Sequence, residues 1–429
     1  MKSTVTLIGI VLVVCSICGI SPVCGAEVNA LKAGVAKVDI TPQKPVRMAG
    51  YASRKDLSEG VHDPLSARVV AFEKDGRRLV LIATDLIGFY EGTAERFRQA
   101  ILAEFDLGPG ELFLSAIHTH AGPSPTLDSH KGHPNNVAYT ERLQAKLIEA
   151  VGAALADAGP VRIGLGAGSS PVGCNRRAVQ LRGNGETVIS LGRNPYGPTD
   201  KEVLVMKVAN AEGQLRAVLF DYATHATCLG PKNYQISGDV LGLAEQFVEK
   251  NMGAGVVAPA FAGASGDIDP WFRVRPAFET ESGWVPEPVL LGTFLGEEVV
   301  QICRRTDTPG QGGPIRSSLA VLELPAKPAN GVLGGSQERT QPFVVTAARM
   351  GDIAFVGLGG EVLTEIGLAI KAASPCKHTF VITHCNGTAG YLAPKDLHVE
   401  GGYEVRTSPF APQAADLVAR EAVKMLHDL

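Results

Sequence analysis

The sequence predicts an α/β protein built of mixed β-sheets flanked by helices. Three observations carry that reading. Apolar runs of strand character alternate along the chain with segments of helical spacing. Segments 67–85, 203–225 and 343–361 each read strand, Gly- or Asp-containing turn, strand, so a hairpin signal recurs as a faint internal echo. In each of them a polar residue closes the second strand: Asp85, His225 and Glu361.

The elements follow in order. "RRLVLIATDLIGF" (77–89) is an apolar strand. "TAERFRQAILAEF" (93–105) places Phe97, Ile101 and Leu102 on one helical face with charges opposite. "ELFLSAI" (111–117) is the next strand, and "AYTERLQAKLIEAVGAALADA" (138–158) is a long amphipathic helix that stops at Gly159-Pro160. Further helices are expected over 239–251, 287–305, 361–373 and 412–427. The Gly-rich "PGQGGP" (309–314) reads as a surface linker or loop, and "ISGD" (236–239) as the N-cap of the helix that follows it.

Bulk properties narrow the class. The chain has 429 residues, with 40 Lys and Arg against 44 Asp and Glu, a net charge of −4. That balance argues against nucleic acid as a partner. The opening "MKSTVTLIGIVLVVCSICGISPVCGA" has a short positive start, an apolar run and a small-residue cleavage site. It is expected to be a removed signal peptide over 1–26, with a secreted or periplasmic product. The run is short for an anchor, Gly19, Ser21 and Pro22 interrupt its end, and no other stretch is long and apolar enough to span a bilayer. Beyond it stand Cys174, Cys228, Cys303, Cys376 and Cys385, an odd and widely spaced set that is no disulfide framework, although one or two bridges stay open.

The residues that carry chemistry sit at strand ends. "SAIHTHAGPSP" (115–125) places His118 and His120 two apart, so on a strand both face one side. Two imidazoles so placed suit one metal ion or one substrate; the plain alternative is two solvated loop histidines. "DYATHATCLGP" (221–231) supplies His225, and "GLGGEVLTEIG" (357–367) supplies Glu361 at the start of a helix, where the helix dipole alone favours an acid. Glu365, one turn on, serves equally well on sequence grounds. Two histidines and a carboxylate resemble a catalytic zinc set with one position left for water, so a metal site is expected at the carboxyl ends of strands. "NGTAGYLAPKDLHVEGGYEVRTSPF" (386–410) offers Gly-rich backbone with Tyr391 and Tyr403. "FAGASGDIDPWF" (261–272) offers Asp267 and Asp269, as a turn held by its own side chains or as carboxylates behind a site. "NGT" at Asn386 fits a glycosylation sequon. No GxSxG, HExxH, Walker A or dinucleotide fingerprint points to another chemistry.

Taken in order, "AGVAKVDITP…MAGYASR", "HTHAGP", "ATHAT…ISGD", "GDIDP", "GGEVLTEIGLAIK" and "AGYLAPKD…GGYEVRTSPFAP" resemble the neutral/alkaline (non-lysosomal) ceramidase family from about Gly34 to Pro412. That family consists of zinc amidases that hydrolyse the N-acyl bond of ceramide. The resemblance implies His118, His225 and Glu361 as Zn²⁺ ligands, with Tyr391 close to the metal. It implies His120 as the active-site histidine beside the metal, and Tyr403 as a second tyrosine at the substrate. Arg176 of "CNRR" matches the family's arginine less securely, because its flanks differ.

Two departures stand out. The family's larger members carry a C-terminal immunoglobulin-like domain, whereas residues 27–429 are expected to be the catalytic domain alone. The family also has a serine where this chain has Asp269, which suits a zinc–water mechanism better than a serine nucleophile. The expectation is a zinc-dependent amidohydrolase of a ceramide-like N-acyl lipid, with peripheral membrane contact and an open oligomeric state. The same zinc chemistry on a non-lipid amide or peptide, a phosphate or sulfate ester hydrolase, and a non-catalytic binding protein stand as alternatives.

Overall fold

All three hairpin signals fold as hairpins in the computed structural model, which describes residues 30–272, 287–310, 312–328 and 339–429. The expected signal peptide lies outside the described residues, as does Gln311 of the Gly-rich segment. The main strands are β1 (Lys32–Asp39), β2 (Ser66–Lys74), β3 (Arg77–Thr84), β4 (Leu112–Ala116), β5 (Gly159–Ser169), β6 (Glu202–Asn210), β7 (Leu215–Tyr222), β8 (Ala260–Ala262), β9 (Ile315–Pro325), β10 (Thr340–Met350), β11 (Ile353–Leu358) and β12 (His378–Ile382). The main helices are α1 (Thr93–Phe105), α2 (Pro134–Ala156), α3 (Asp239–Met252), α4 (Glu287–Arg305), α5 (Thr364–Ala373) and α6 (Ala414–Asp428).

The internal echo is a supersecondary unit used three times. Each copy is an antiparallel hairpin, a helix, and a strand that returns parallel to the hairpin's second strand. The copies are β2–β3–α1–β4, β6–β7–α3–β8 and β10–β11–α5–β12. In the first, Asp75 and Gly76 both take positive φ, 51° and 73°, the backbone that a two-residue hairpin turn demands of an Asp-Gly pair. Crossover helices force the parallel pairing. Parallel pairing in turn puts the carboxyl ends of two neighbouring strands side by side, three times over.

Eight strands form one mixed sheet in the order β8-β7-β6-β5-β1-β2-β3-β4, and four form a second in the order β9-β10-β11-β12. The near-continuous apolar runs are explained by burial on both faces. In β3, Leu79, Leu81 and Ala83 face the second sheet, while Val80 and Ile82 pack under α1 and α2. Phe113, Phe355 and Phe380 fill the space between the sheets, the last two stacked at 5.1 Å. Helices α3 and α4 cover the other half of the large sheet, and α5 and α6 cover the outer face of the small one. The result is four layers, helix–sheet–sheet–helix, as the α/β expectation required.

Local departures have local causes. The strand expected over 77–89 ends at Thr84, because Asp85 turns back and its amide donates to Ser66 O at 3.0 Å. The second long helix starts at Pro134, four residues early, with the His133 ring accepting the Asn135 amide. The helix expected over 361–373 starts at Thr364, because Glu361 and Val362 pair in parallel with Tyr391 and Leu392. "ISGD" does supply the helix start: Gly238 is the N-cap, Ser237 Oγ accepts the Asp239 amide at 2.8 Å, and the Asp239 carboxylate accepts the Cys228 and Leu229 amides at 3.0 Å. Gly310 of the Gly-rich segment exchanges hydrogen bonds with Ile163 on β5 instead of linking domains. Among the described residues Cys174, Cys303, Cys376 and Cys385 are free thiols. Among the described residues no helix is long and apolar enough to cross a membrane.

Candidate metal centre

The carboxyl ends of the three parallel strand pairs meet at one place. His118 lies two residues beyond β4, and His384 two residues beyond β12. Both take left-handed backbone, φ 60° and 50°, and their rings stack at 3.8 Å with 13° between planes. His225 follows β7, and Glu361 follows β11 after the Gly359-Gly360 turn. That turn needs glycine, since a Cβ on Gly360 would lie 2.8 Å from Gly390 O.

The protonation of two histidines is set by what their Nδ1 atoms touch. His118 Nδ1 lies 2.7 Å from Ile87 O. His225 Nδ1 lies 2.7 Å from Ser265 O and 3.0 Å from Ile268 O. A carbonyl only accepts, so each Nδ1 carries a hydrogen and each Nε2 turns inward. Glu361 Oε2 sits 3.5 Å from His118 Nε2 and 3.6 Å from His225 Nε2. His120 Nε2 is 3.2 Å from His118 Nε2, and the ring nitrogens of His118, His120 and His225 lie within 4.8 Å of one another.

Among the described residues, buried Glu361 Oε2, His120 Nδ1 and His384 Nδ1 find no hydrogen-bond partner. Burial pushes the His120 and His384 imidazoles well below their ordinary range, and neighbouring His118 pushes the same way. Burial and then the Arg176 charge lower His225. Burial alone would raise Glu361, but the histidines around it, His118 first, outweigh it and hold the carboxyl well below the usual range. Imidazole nitrogens and a carboxylate oxygen converging at such spacing fit a divalent cation, and the mixed nitrogen–oxygen set suits a first-row metal.

One wall of the site is organised by Arg176, itself buried. Its Nε donates to Glu404 at 2.8 Å, Nη1 to Asp269 at 3.1 Å, and Nη2 to the Tyr391 hydroxyl at 3.0 Å, while Nη1 stands 3.4 Å from His225 Nε2. Burial and then Glu361 raise the Tyr391 phenol well above its ordinary value, so it stays protonated. Tyr403 stands edge-on to Tyr391 at 5.7 Å and is 37% exposed, at the rim. Asp267 is no local turn device. Its oxygens accept the Thr364 amide and Asn175 Nδ2, both at 2.9 Å, tying the start of α5 to the residue before Arg176; burial raises it to about 6.

The fold thus brings His118, His120, His225, Glu361, Tyr391 and Arg176 together, with Tyr403 at the edge. Glu365 is exposed and stands apart. His384 escaped sequence reasoning; following the echo to its third returning strand, "VITH", would have found it. Asn386 is unsuited to glycosylation. It is 3% exposed, and its Nδ2 donates to Leu112 O and Thr346 Oγ1 at 2.7 and 2.9 Å.

Fold and site define a class first: a four-layer α/β protein whose strand ends hold a histidine group able to bind a metal, with the Glu361 carboxylate beside it. Residues 31–274 match the family model described as neutral/alkaline non-lysosomal ceramidase, N-terminal, and the chain belongs to that family. Neutral ceramidase 2 of Arabidopsis thaliana is 27% identical over 237 residues, 52% of this chain and 30% of that protein. Neutral ceramidase of Oryza sativa subsp. japonica is 26% identical over 50% of this chain and 28% of its own length. The match therefore spans less than a third of these relatives. The crystal structure of neutral ceramidase from Pseudomonas aeruginosa superposes with a TM-score of 0.75 at 19% identity, covering 93% of this chain and 74% of that one.

Proposed function

We propose that the chain is an exported zinc-dependent amidohydrolase that cleaves the N-acyl bond of a ceramide-like lipid. Family membership supports the reaction class and the substrate. The observation that carries the reading is the convergence of the three groups, with Glu361 Oε2 3.5 Å from His118 Nε2 and 3.6 Å from His225 Nε2. These three residues would hold the zinc, with Tyr391 close by. Bound there, zinc supplies Lewis acidity and a water of lowered pKa. The leader-like residues 1–26 support export.

The chain's own groups divide the remaining work. Arg176 is locked by Glu404 and Asp269, and its third arm fixes the Tyr391 hydroxyl. Tyr391 then has its proton to offer to a carbonyl oxygen gaining charge, the oxyanion-type contribution. Kept neutral by burial, His120 accepts a proton as the amide is attacked and returns it to the leaving amine. Tyr403, at the rim, meets the substrate beyond the scissile bond.

The test is to purify the chain, measure bound metal by mass spectrometry, and follow fatty acid release from an N-acyl sphingoid lipid. About one zinc per chain and measurable hydrolysis are expected. His118→Ala and Glu361→Ala are each expected to lose the metal and at least about 10²-fold in rate. A metal-free active protein, or full activity in both variants, overturns the reading.

A further inference from the structure

The segment "MAGYASR" (48–54) lies against the histidine pair and has so far been given no role. Its backbone docks on the loop just after His120. The Ala49 amide donates to Gly122 O, and the Ser124 amide to Arg47 O, both at 3.0 Å. Gly50 has φ +95°, and a Cβ there would lie 2.4 Å from His120 Nδ1, so the His120 ring rests directly on bare backbone. The Tyr51 ring meets the same imidazole edge-on at 5.0 Å.

Arg54 completes the contact. It is 7% exposed, and among the described residues no carboxylate pairs with it. Instead its Nη1 donates to Ala49 O at 2.9 Å and to His120 O at 2.5 Å, and its Nη2 donates to Gly230 O at 2.8 Å. Its Cζ lies 4.8 Å above the Tyr51 ring. A buried cation without a counter-ion is expensive, and burial does lower the Arg54 pKa. The planar fork answers three carbonyls from three loops: 48–54, the loop of His120, and the loop that follows His225. A lysine, a single point donor, does not span them.

We propose that Arg54, with Tyr51 stacked beneath it, is a positioning residue that fixes the backbone and ring orientation of His120. His120 needs such a device. Unlike His118 and His225, whose Nδ1 atoms are tied to carbonyls, His120 Nδ1 has no hydrogen-bond partner among the described residues. Its ring is aimed from outside, by the Gly50 floor, the Tyr51 edge and the Arg54 grip on its carbonyl. The proposal rests on the reading of His120 as the proton-transfer group, and its test carries a readout independent of that chemistry.

The experiment compares native protein, Arg54→Lys and Tyr51→Leu, each with ¹³C-labelled histidine, the His120 signal being assigned with His120→Gln. In Arg54→Lys the His120 ring resonance is expected to shift and broaden while those of His118 and His225 hold. The rate kcat is expected to fall about 10²-fold, with KM and bound zinc unchanged, as for a misplaced catalytic group. Guanidinium added to an Arg54→Ala variant should recover part of the loss. Tyr51→Leu, which leaves all three carbonyl bonds in place, is expected to move the same resonance by less, and it carries the test if Arg54→Lys fails to fold. An unmoved His120 signal in both variants, or KM and metal content falling together with kcat, overturns the proposal. If native protein releases no fatty acid from any N-acyl lipid while Arg54→Lys still moves the His120 signal, the reaction assignment falls and the positioning stands.

Discussion

At the scale of single residues, the site depends on imidazoles held in backbone that most residues avoid. His118 and His384 both sit at positive φ, a region where histidine is enriched over most residues but still uncommon. Their stack at 3.8 Å braces the His118 ring from the side its hydrogen bond to Ile87 O does not control. His384→Ala is therefore expected to weaken binding of the proposed zinc about tenfold or more, in the range found when supporting partners are removed, whereas His384→Phe should keep most of the affinity. Competition with a chromogenic chelator reads this directly. Equal affinity in the Ala variant would mean that the stack does not orient the ligand.

At the scale of elements, the unit of construction is the hairpin, helix and returning parallel strand, and single side chains bind the copies together. Asn386, just past β12, accepts the Leu114 amide at 3.0 Å and donates to Leu112 O on β4 and to Thr346 Oγ1 on β10. It thus joins the strand ends of two copies. Asn386→Ala leaves these groups unpaired in the core, and an expected destabilisation of about 3 kcal/mol should appear in urea titrations. A change below about 0.5 kcal/mol would place it with ordinary surface substitutions. The hairpins and most helices of these units were legible in the sequence, because their signals are local: Asp-Gly turns, apolar alternation and helical spacing. The true start of α5 was not. Glu361 and Val362 pair with Tyr391 and Leu392, and no local signal announces a partner thirty residues away.

At the scale of the whole molecule, the two sheets are coupled by a buried acid. Asp221, next to last in β7, accepts the Val381 amide of β12 at 3.1 Å and lies 3.8 Å from Lys371 of α5. Burial raises it from an ordinary 3.8 to about 7, with Lys371 opposing. The folded state therefore binds more protons than the unfolded chain between those values. This group's favourable contribution is complete below about pH 4, falls as pH rises, and is gone above about pH 7, a loss of at most about 4 kcal/mol. Asp221→Asn removes that slope. The gap in melting temperature between pH 5 and pH 8 is expected to shrink in the variant relative to native protein, and an unchanged gap would show that Asp221 is ionised throughout.

By itself the sequence determined the α/β class, the threefold echo, and His118, His120, His225 and Glu361 as polar residues at strand ends. Those are consequences of periodicity and turn chemistry, which act over a few residues. Only the tertiary structure decided between Glu361 and Glu365, separated His118 from His120 by what each Nδ1 touches, and brought in His384 and Arg54. It also turned a plausible sequon at Asn386 into a buried cross-tie. The reason is common to all of these. A side chain's chemistry here is set by carbonyls and rings from segments far along the chain, and parallel pairing of returning strands is what makes those segments meet.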